Sequence, residues 1–321
     1  MMNNNEMAVS FKTKFGEIFS KFGIYIIFLG MVIALTIISP VFLTYGNIIN
    51  IVRQMSVVGT IAVGMTIIII TGGIDLSPGS VVALVAVVAA SFAHPGEYSL
   101  LITLFAGAGA GLLAGFINGS LISATGIPPF IVTLGMMTAA RGVALLYSGG
   151  RPIGNLSDSF RFLGSGYIFG IPVPIIIFAI VALIGHIILN KTTFGKSIYA
   201  VGGNEEAAVV CGVNVKKVKL FVYTFGGLTA AIAGMVLTAR VSAGSPSSGL
   251  SYELDAIAAT IIGGTSFNGG VGTITGTIIG ALILGTLNNG LDLIGVSSYW
   301  QQISKGVIIV GAIILDSLKN D

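Results

Sequence analysis

The sequence is short of charge, cysteine and histidine. Of its 321 residues only 8% are charged, against about 25% in a soluble domain. A single cysteine, Cys211, excludes an intrachain disulfide and a cysteine metal cluster. Two histidines, His94 and His186, are too few and too far apart to argue for a metal site. There is no nucleotide-binding loop: Gly195-Lys196-Ser197 has the end of one, but Asn190 stands where the earlier glycine belongs and no strand precedes it. No serine sits in a Gly-x-Ser-x-Gly elbow, and Asp75 lacks a paired intramembrane aspartate. These gaps argue against catalysis or any cofactor site within the chain, so ATP, if used, binds to another subunit.

What the sequence has instead is apolar length. It is 54% hydrophobic, with a mean hydropathy of +0.99, which predicts an all-α, polytopic bundle of about ten membrane helices. Apolar runs lie at about 22–39, 56–71, 79–93, 99–125, 129–147 and 172–189, and then at 218–239, 254–263, 272–291 and 300–315. No small-residue cleavage site follows the first run, so it reads as a retained span. The net charge of +3 is small, and its lysines gather beside spans. That pattern sets orientation and does not describe a nucleic-acid surface. Lys191, Lys196, Lys216, Lys217 and Lys219 mark residues 191–217 as a cytoplasmic loop. With an even span count, the segments 1–21 and 317–321 are then cytoplasmic too. Arg151 and Arg161 fall outside, against the usual bias, with Asp158 between them.

The two halves echo one another. Gly72-Gly73-Ile74-Asp75-Leu76-Ser77-Pro78-Gly79 is matched by Gly263-Gly264-Thr265-Ser266-Phe267-Asn268-Gly269-Gly270, and Gly115-Phe116-Ile117-Asn118 by Gly285-Thr286-Leu287-Asn288. Gly126-Ile127-Pro128-Pro129-Phe130 is matched by Gly295-Val296-Ser297-Ser298-Tyr299. Three echoes in one order suggest a duplication within a single permease domain, 22–316, with repeats at about 56–189 and 218–316. Interrupted helices in corresponding places would line a path. The span count makes the repeats parallel, an odd count would invert them, and the sequence leaves the choice open. Gly107, Gly111 and Gly115, and again Gly272, Gly276 and Gly280, fall at every fourth position, as helix-packing seams do.

A charge at the bilayer centre costs at least about 2.5 kcal/mol, so such residues face protein or water. Asp75 reads equally as a helix cap at a glycine turn or as a functional group. Arg141 reads best as a structural pair or a snorkelling side chain. A translocation path is drawn through Asp75, Ser77, Asn118, Asn288 and Asn289, whose amides and hydroxyls match a neutral polyol.

Within the lysine-rich loop, Asn204 caps a short helix opened by Glu205 and Glu206 and closed by Gly212. Glu206-Ala207-Ala208 followed by Gly212 resembles the loop by which permeases of ATP-binding-cassette importers dock on their ATPase, without its downstream Leu-Pro. With Gly72 to Ser77, Tyr252 to Ala259, Gly263 to Ser266 and Leu287 to Tyr299, the chain from about residue 25 onward resembles the permeases of bacterial ribose-type importers. Pro78 and Phe267 depart from that pattern.

The resemblance implies a homodimer in the bacterial inner membrane. It implies a cytoplasmic ATPase that holds ATP and magnesium, and an extracytoplasmic sugar-binding protein. It carries the ATPase-coupling role to Asn204, Glu205, Glu206, Ala207, Ala208 and Gly212. Arg151, Asp158, Arg161 and Glu253 become candidate contacts for the binding protein. D-ribose is the implied solute. Another monosaccharide, a signalling furanose or a branched-chain amino acid is the alternative, and an ion-coupled secondary carrier is the competing class, which needs essential intramembrane acids. An intramembrane enzyme would need a paired catalytic constellation, and none is found.

Overall fold

The computed structural model describes residues 24–320, the side chains of 309, 312–313 and 315–320 excepted. Residues 1–21 and Asp321, assigned to cytoplasmic ends from the sequence, lie wholly or partly outside this range. Each of the ten apolar runs forms a helix. They are α1 (Ile24–Ile38), α2 (Tyr45–Ile70), α3 (Pro78–Ser91), α4 (Leu100–Thr125) and α5 (Pro129–Ser148). After a short surface helix α6 (Asp158–Ser165) and a two-stranded ribbon, β1 (Tyr167–Ile168) with β2 (Ile171–Pro172), comes α7 (Val173–Lys191). The lysine-rich loop folds as α8 (Thr193–Gly203) and α9 (Glu205–Val210). The chain closes with α10 (Val215–Val241), α11 (Tyr252–Ile262), α12 (Ile274–Leu293) and α13 (Ser298–Asn320). Among the described residues, six helices are long and apolar enough to cross a membrane.

Apart from α1, whose first residue is also the first described, two of the ten fall short of a span. At about 1.5 Å per residue, the 14 residues of α3 and the 11 of α11 cover about 21 and about 17 Å of a hydrocarbon core about 30 Å thick. The remainder of each crossing is non-helical chain, 71–77 before α3 and 242–251 before α11. Such backbone persists at membrane depth only where protein or a cavity satisfies its polar groups.

Helix directions follow from the pairs that touch. Gly107 lies against Met235 and Gly119 against Leu220, so α4 and α10 are antiparallel. Met55 lies against Gly285, and the Thr66 and Thr277 hydroxyls are 2.6 Å apart, so α2 and α12 are antiparallel as well. Gly64 lies against Thr229 and Ile68 against Gly226, so α2 and α10 are antiparallel too, and α2 and α4 therefore run opposite to their counterparts α10 and α12. Of the two arrangements the sequence leaves open, this is the inverted one. The double-glycine echo misled because Gly72-Gly73 precedes α3 while Gly263-Gly264 follows α11. The other two echoes fall at matching places, on α4 and α12 and in the turns after them.

Both glycine seams are real contacts. Gly111 and Gly115 meet Gly227 on α10, and Gly276 and Gly280 meet the carbonyls of Gly263 and Ala259 at the end of α11. At these points backbone packs on backbone with no room for a Cβ, the arrangement small residues permit in lipid.

Candidate functional site

Four features bear on function: two breaks in the helices, the α8–α9 loop, and a polar cavity. At the first break, Asp75 and Ser77 are each 2% exposed and Asn118 is 1% exposed. The Asp75 carboxylate accepts hydrogen bonds from the Ser77 amide at 2.8 Å and from the Ser77 hydroxyl at 2.6 Å. Asn118 Nδ2 donates to the Ser77 hydroxyl at 3.1 Å. Thr133 on α5 serves the same stretch, accepting from the Leu76 amide at 3.1 Å and donating to the Ile74 carbonyl. The structure thus brings three of the five predicted path residues together, in a hydrogen-bonded network that supports non-helical backbone and leaves Asn118 Oδ1 buried and unpartnered.

At the second break Arg141 does the equivalent work with the opposite charge. Its guanidinium donates to the carbonyls of Pro246 at 2.6 Å and Ser248 at 2.9 Å, and reaches that of Gly79 at 3.3 Å. The sequence reading of Arg141 as a structural pair is met in part by the nearby Glu253 carboxylate, and the carbonyl clamp adds to it. Gly244 adds a bridge to Ile153, 2.9 and 2.8 Å in the two directions. Glu253, grouped from the sequence with the outer-surface charges, is instead partly buried with its carboxylate beside Gly79. The short non-helical entry to α11 carries it inward. Arg151, Asp158 and Arg161 do lie exposed at the end opposite α9, Arg161 pairing with Asp158 at 3.4 Å.

The α9 turn is built as its residues suggest. The Asn204 side chain accepts from the Ala207 amide at 2.8 Å. Gly212, at φ +81°, lets the Val213 amide return to the Ala208 carbonyl at 2.9 Å. Ala208 is buried and anchors the turn, while Glu206, Ala207, Val209 and Val210 face outward, Val210 at 87% exposure. Glu205 does not face a partner freely: Lys219 on α10 holds it at 2.7 Å. The sequence reasoning missed Asn214, which caps α10 by accepting from the Lys217 amide at 3.0 Å.

This loop is tied to the bundle through glycine. Gly202 at the end of α8 packs on the Ile70 carbonyl and the Gly270 amide, and Gly269 packs on Gly72. The Gly270 amide donates to the Ile70 carbonyl at 2.9 Å. Tyr199 on α8 donates to the Gly272 carbonyl at 2.7 Å. Burial pushes this phenol above its ordinary range, so it remains a donor at any physiological pH. The double-glycine strings of both halves thus converge on α8.

A cavity of about 270 Å³ lies between α2, α10, α11, α12 and α13, in the half of the bundle away from α9. Its polar wall includes Gln54, Arg240, Tyr252, Asp255, Asn288 and Lys305, and its apolar wall includes Met55, Leu237 and Leu284. Lys305 pairs with Asp255 at 2.9 Å. Asn288 is the one predicted path residue that reaches this space. Asn289 points away and exchanges two 2.8 Å hydrogen bonds with Asn47. A larger cavity of about 500 Å³, beside α7, is lined by Val52, Phe178, Leu183 and Ile278 with little polar chemistry. Asp255 and Lys305 carry a signal the sequence reading passed over: each is a charge inside an apolar run, and the cost that flagged Asp75 and Arg141 applies to them equally.

Comparison with known proteins places this geometry. Residues 47–313 match the model of a family described as branched-chain amino acid transport system / permease component, and the chain belongs to that family. It is 45% identical over 308 residues to the ribose import permease protein of Bacillus subtilis (strain 168), covering 95% of each chain. It is 45% identical to that of Haemophilus influenzae, over 90% of this chain and 92% of the relative. Identity to the ribose import permease protein of Escherichia coli (strain K12) is 46%, over 88% and 89%. Permeases named for other sugars are more distant. No solved structure matches this chain.

Proposed function

We propose that this chain is the membrane permease subunit of an ATP-driven importer of a small neutral sugar, D-ribose before other pentoses and hexoses. The observation that carries the reading is 45% identity to a ribose import permease across 95% of both chains, supported by a bundle that keeps two half-length helices at its centre. The energy source is a separate ATPase holding ATP and magnesium, docked on the α8–α9 side. A sugar-binding protein meets the opposite end near Arg151, Asp158 and Arg161, and a second copy of the chain completes the permease. The α9 side is cytoplasmic, which puts both termini there as well.

Mechanically, α9 offers the ATPase a Glu206 carboxylate and a Val209-Val210 apolar step. Motion of α9 passes into α8, and the Gly202 and Tyr199 contacts carry it to the end of α2 and to the 263–273 segment that leads into α12. The end of α2 leads into the non-helical segment 71–77, and 263–273 is itself non-helical, so helices can rotate at both places without breaking a continuous hydrogen-bond ladder. The test is radiolabelled D-ribose uptake in bacterial cells whose own ribose permease has been deleted, supplied with this chain, its ATPase and its binding protein. Saturable uptake that excess galactose does not suppress is the expected result. Uptake of a different solute with none of ribose would reassign the substrate.

A further inference from the structure

We propose that the hairpin of β1 and β2, with Phe169 at its tip, is a membrane anchor seated in the lipid interface of the leaflet away from α9. The inference goes beyond the importer reading and needs only that the bundle spans a bilayer.

The tip of the hairpin is costly in water. Ile168 pairs with Ile171, so Phe169 and Gly170 form a two-residue turn, and both have positive φ, +50° and +79°. Turns of this kind favour Asn-Gly, because a bulky side chain fits the left-handed region poorly. Here the first position holds a phenylalanine that is fully exposed, and Tyr167, Ile168 and Ile171 are exposed beside it. Phe162 on α6, packed against Gly166 at the neck of the hairpin, is exposed as well. Apolar side chains gathered in this way mark a protein or membrane contact, and aromatic rings are favoured at the level of the lipid headgroups.

The depth of the hairpin selects lipid over a soluble partner. β2 ends at Pro172 and α7 begins at Val173. The 19 residues of α7 cover about 28 Å, close to the whole hydrocarbon core, so the hairpin sits where that core ends. The same helix carries an exposed stripe of Ile180, Ile184 and Ile187 at helical spacing, a face that suits lipid. Arg53 holds the hairpin from the bundle side: its guanidinium donates to the Tyr167 hydroxyl and lies 5.2 Å from the centre of the ring. Arg53 is about two turns inside α2, about 12 Å from its first residue Tyr45. The hairpin is therefore kept at the edge of the apolar zone and not beyond the helix ends. A guanidinium at that level also complements lipid phosphate. Asp158 and Arg161, the exposed charges of α6, keep the neighbouring surface in water.

The single tryptophan, Trp300, makes a direct test simple. In a Trp300→Phe background, Phe169→Trp and, separately, Ile171→Trp are introduced into the full chain, and the complex with ATPase and binding protein is reconstituted in liposomes. Emission is quenched by phospholipids brominated near the top of the acyl chain, by phospholipids brominated near its methyl end, and by acrylamide in the water. Both probes are expected to lose more emission to bromine near the top of the chain than to bromine near its end, as a seat about 5–10 Å into the interface requires. Asp158→Trp, the control on α6, is quenched by acrylamide and by neither lipid. Probes at 169 and 171 that acrylamide quenches as fully as the control, with no loss to either lipid, would overturn the anchor. So would probes that become shielded from acrylamide only when the binding protein is added, which would put that protein on the hairpin. Probes that none of the quenchers reaches would place the hairpin against a second copy of the chain and overturn the anchor too. Ile171→Trp keeps the test decisive if the change at Phe169 disturbs the turn. Ribose uptake by liposomes of the unsubstituted complex reports on the importer reading alone, so the two failures are distinguishable.

Discussion

Ser77 is where the first break in the bundle is most exposed to a single change. Its amide and hydroxyl both donate to Asp75, and its hydroxyl also accepts from Asn118. Ser77→Ala removes the hydroxyl and leaves a buried carboxylate with one donor fewer and a buried amide with no acceptor. Unsatisfied buried groups cost about 1–3 kcal/mol each. The expected outcome is a permease that unfolds at lower temperature in detergent, while sugar uptake per folded molecule is retained. Arg141→Leu acts on the second break by stripping donors from the Pro246 and Ser248 carbonyls. Hydrogen bonds from a charged donor contribute about 1.5–3 kcal/mol each. Proteolysis of the 242–251 connection should accelerate in this variant, and Arg141→Lys should restore only part of the protection, because an ammonium lacks the guanidinium's fork.

At the scale of the element, all ten helices were legible from apolar run length, and α9 from its cap and its closing glycine. Asn204 and Gly212 act as their residue types predict, because cap chemistry is local and needs no tertiary information. The breaks were only half legible. Gly72-Gly73 and Gly263-Gly264 announced irregular backbone, but not that one precedes its half-helix and the other follows it. Asn288 and Asn289 were read as a pair, yet adjacent residues on a helix point about 100° apart, so one lines the cavity and the other bonds to Asn47. The cavity itself was invisible because its wall is drawn from five helices. At this scale Gly202→Val is the informative change. Its side chain would run into the Ile70 carbonyl and the Gly270 amide, forcing α8 off the end of α2 and the segment before α12. ATP hydrolysis by the complex should persist while sugar moved per ATP falls at least about tenfold, a loss of coupling of about 1.4 kcal/mol or more. Tyr199→Phe, which removes only the bond to Gly272, should show the same effect in milder form.

For the whole molecule, the central claim is that this permease is driven by a partner that grips α9. Everything above α9 is continuous with it: the glycine contacts at Gly202, the two half-helices they brace, and the cavity on the far side. The claim is tested most directly by pulling down the tagged permease from membranes that contain the importer's ATPase, comparing the wild type with Glu206→Arg. Glu206 is exposed and takes no partner within the described chain, so reversing its charge should leave the fold intact and remove only the contact. The account predicts that the wild type retains the ATPase and that Glu206→Arg loses it while keeping an unchanged melting temperature. Wild-type permease that imports sugar without retaining any ATPase would contradict the account and leave an ion-driven carrier in its place.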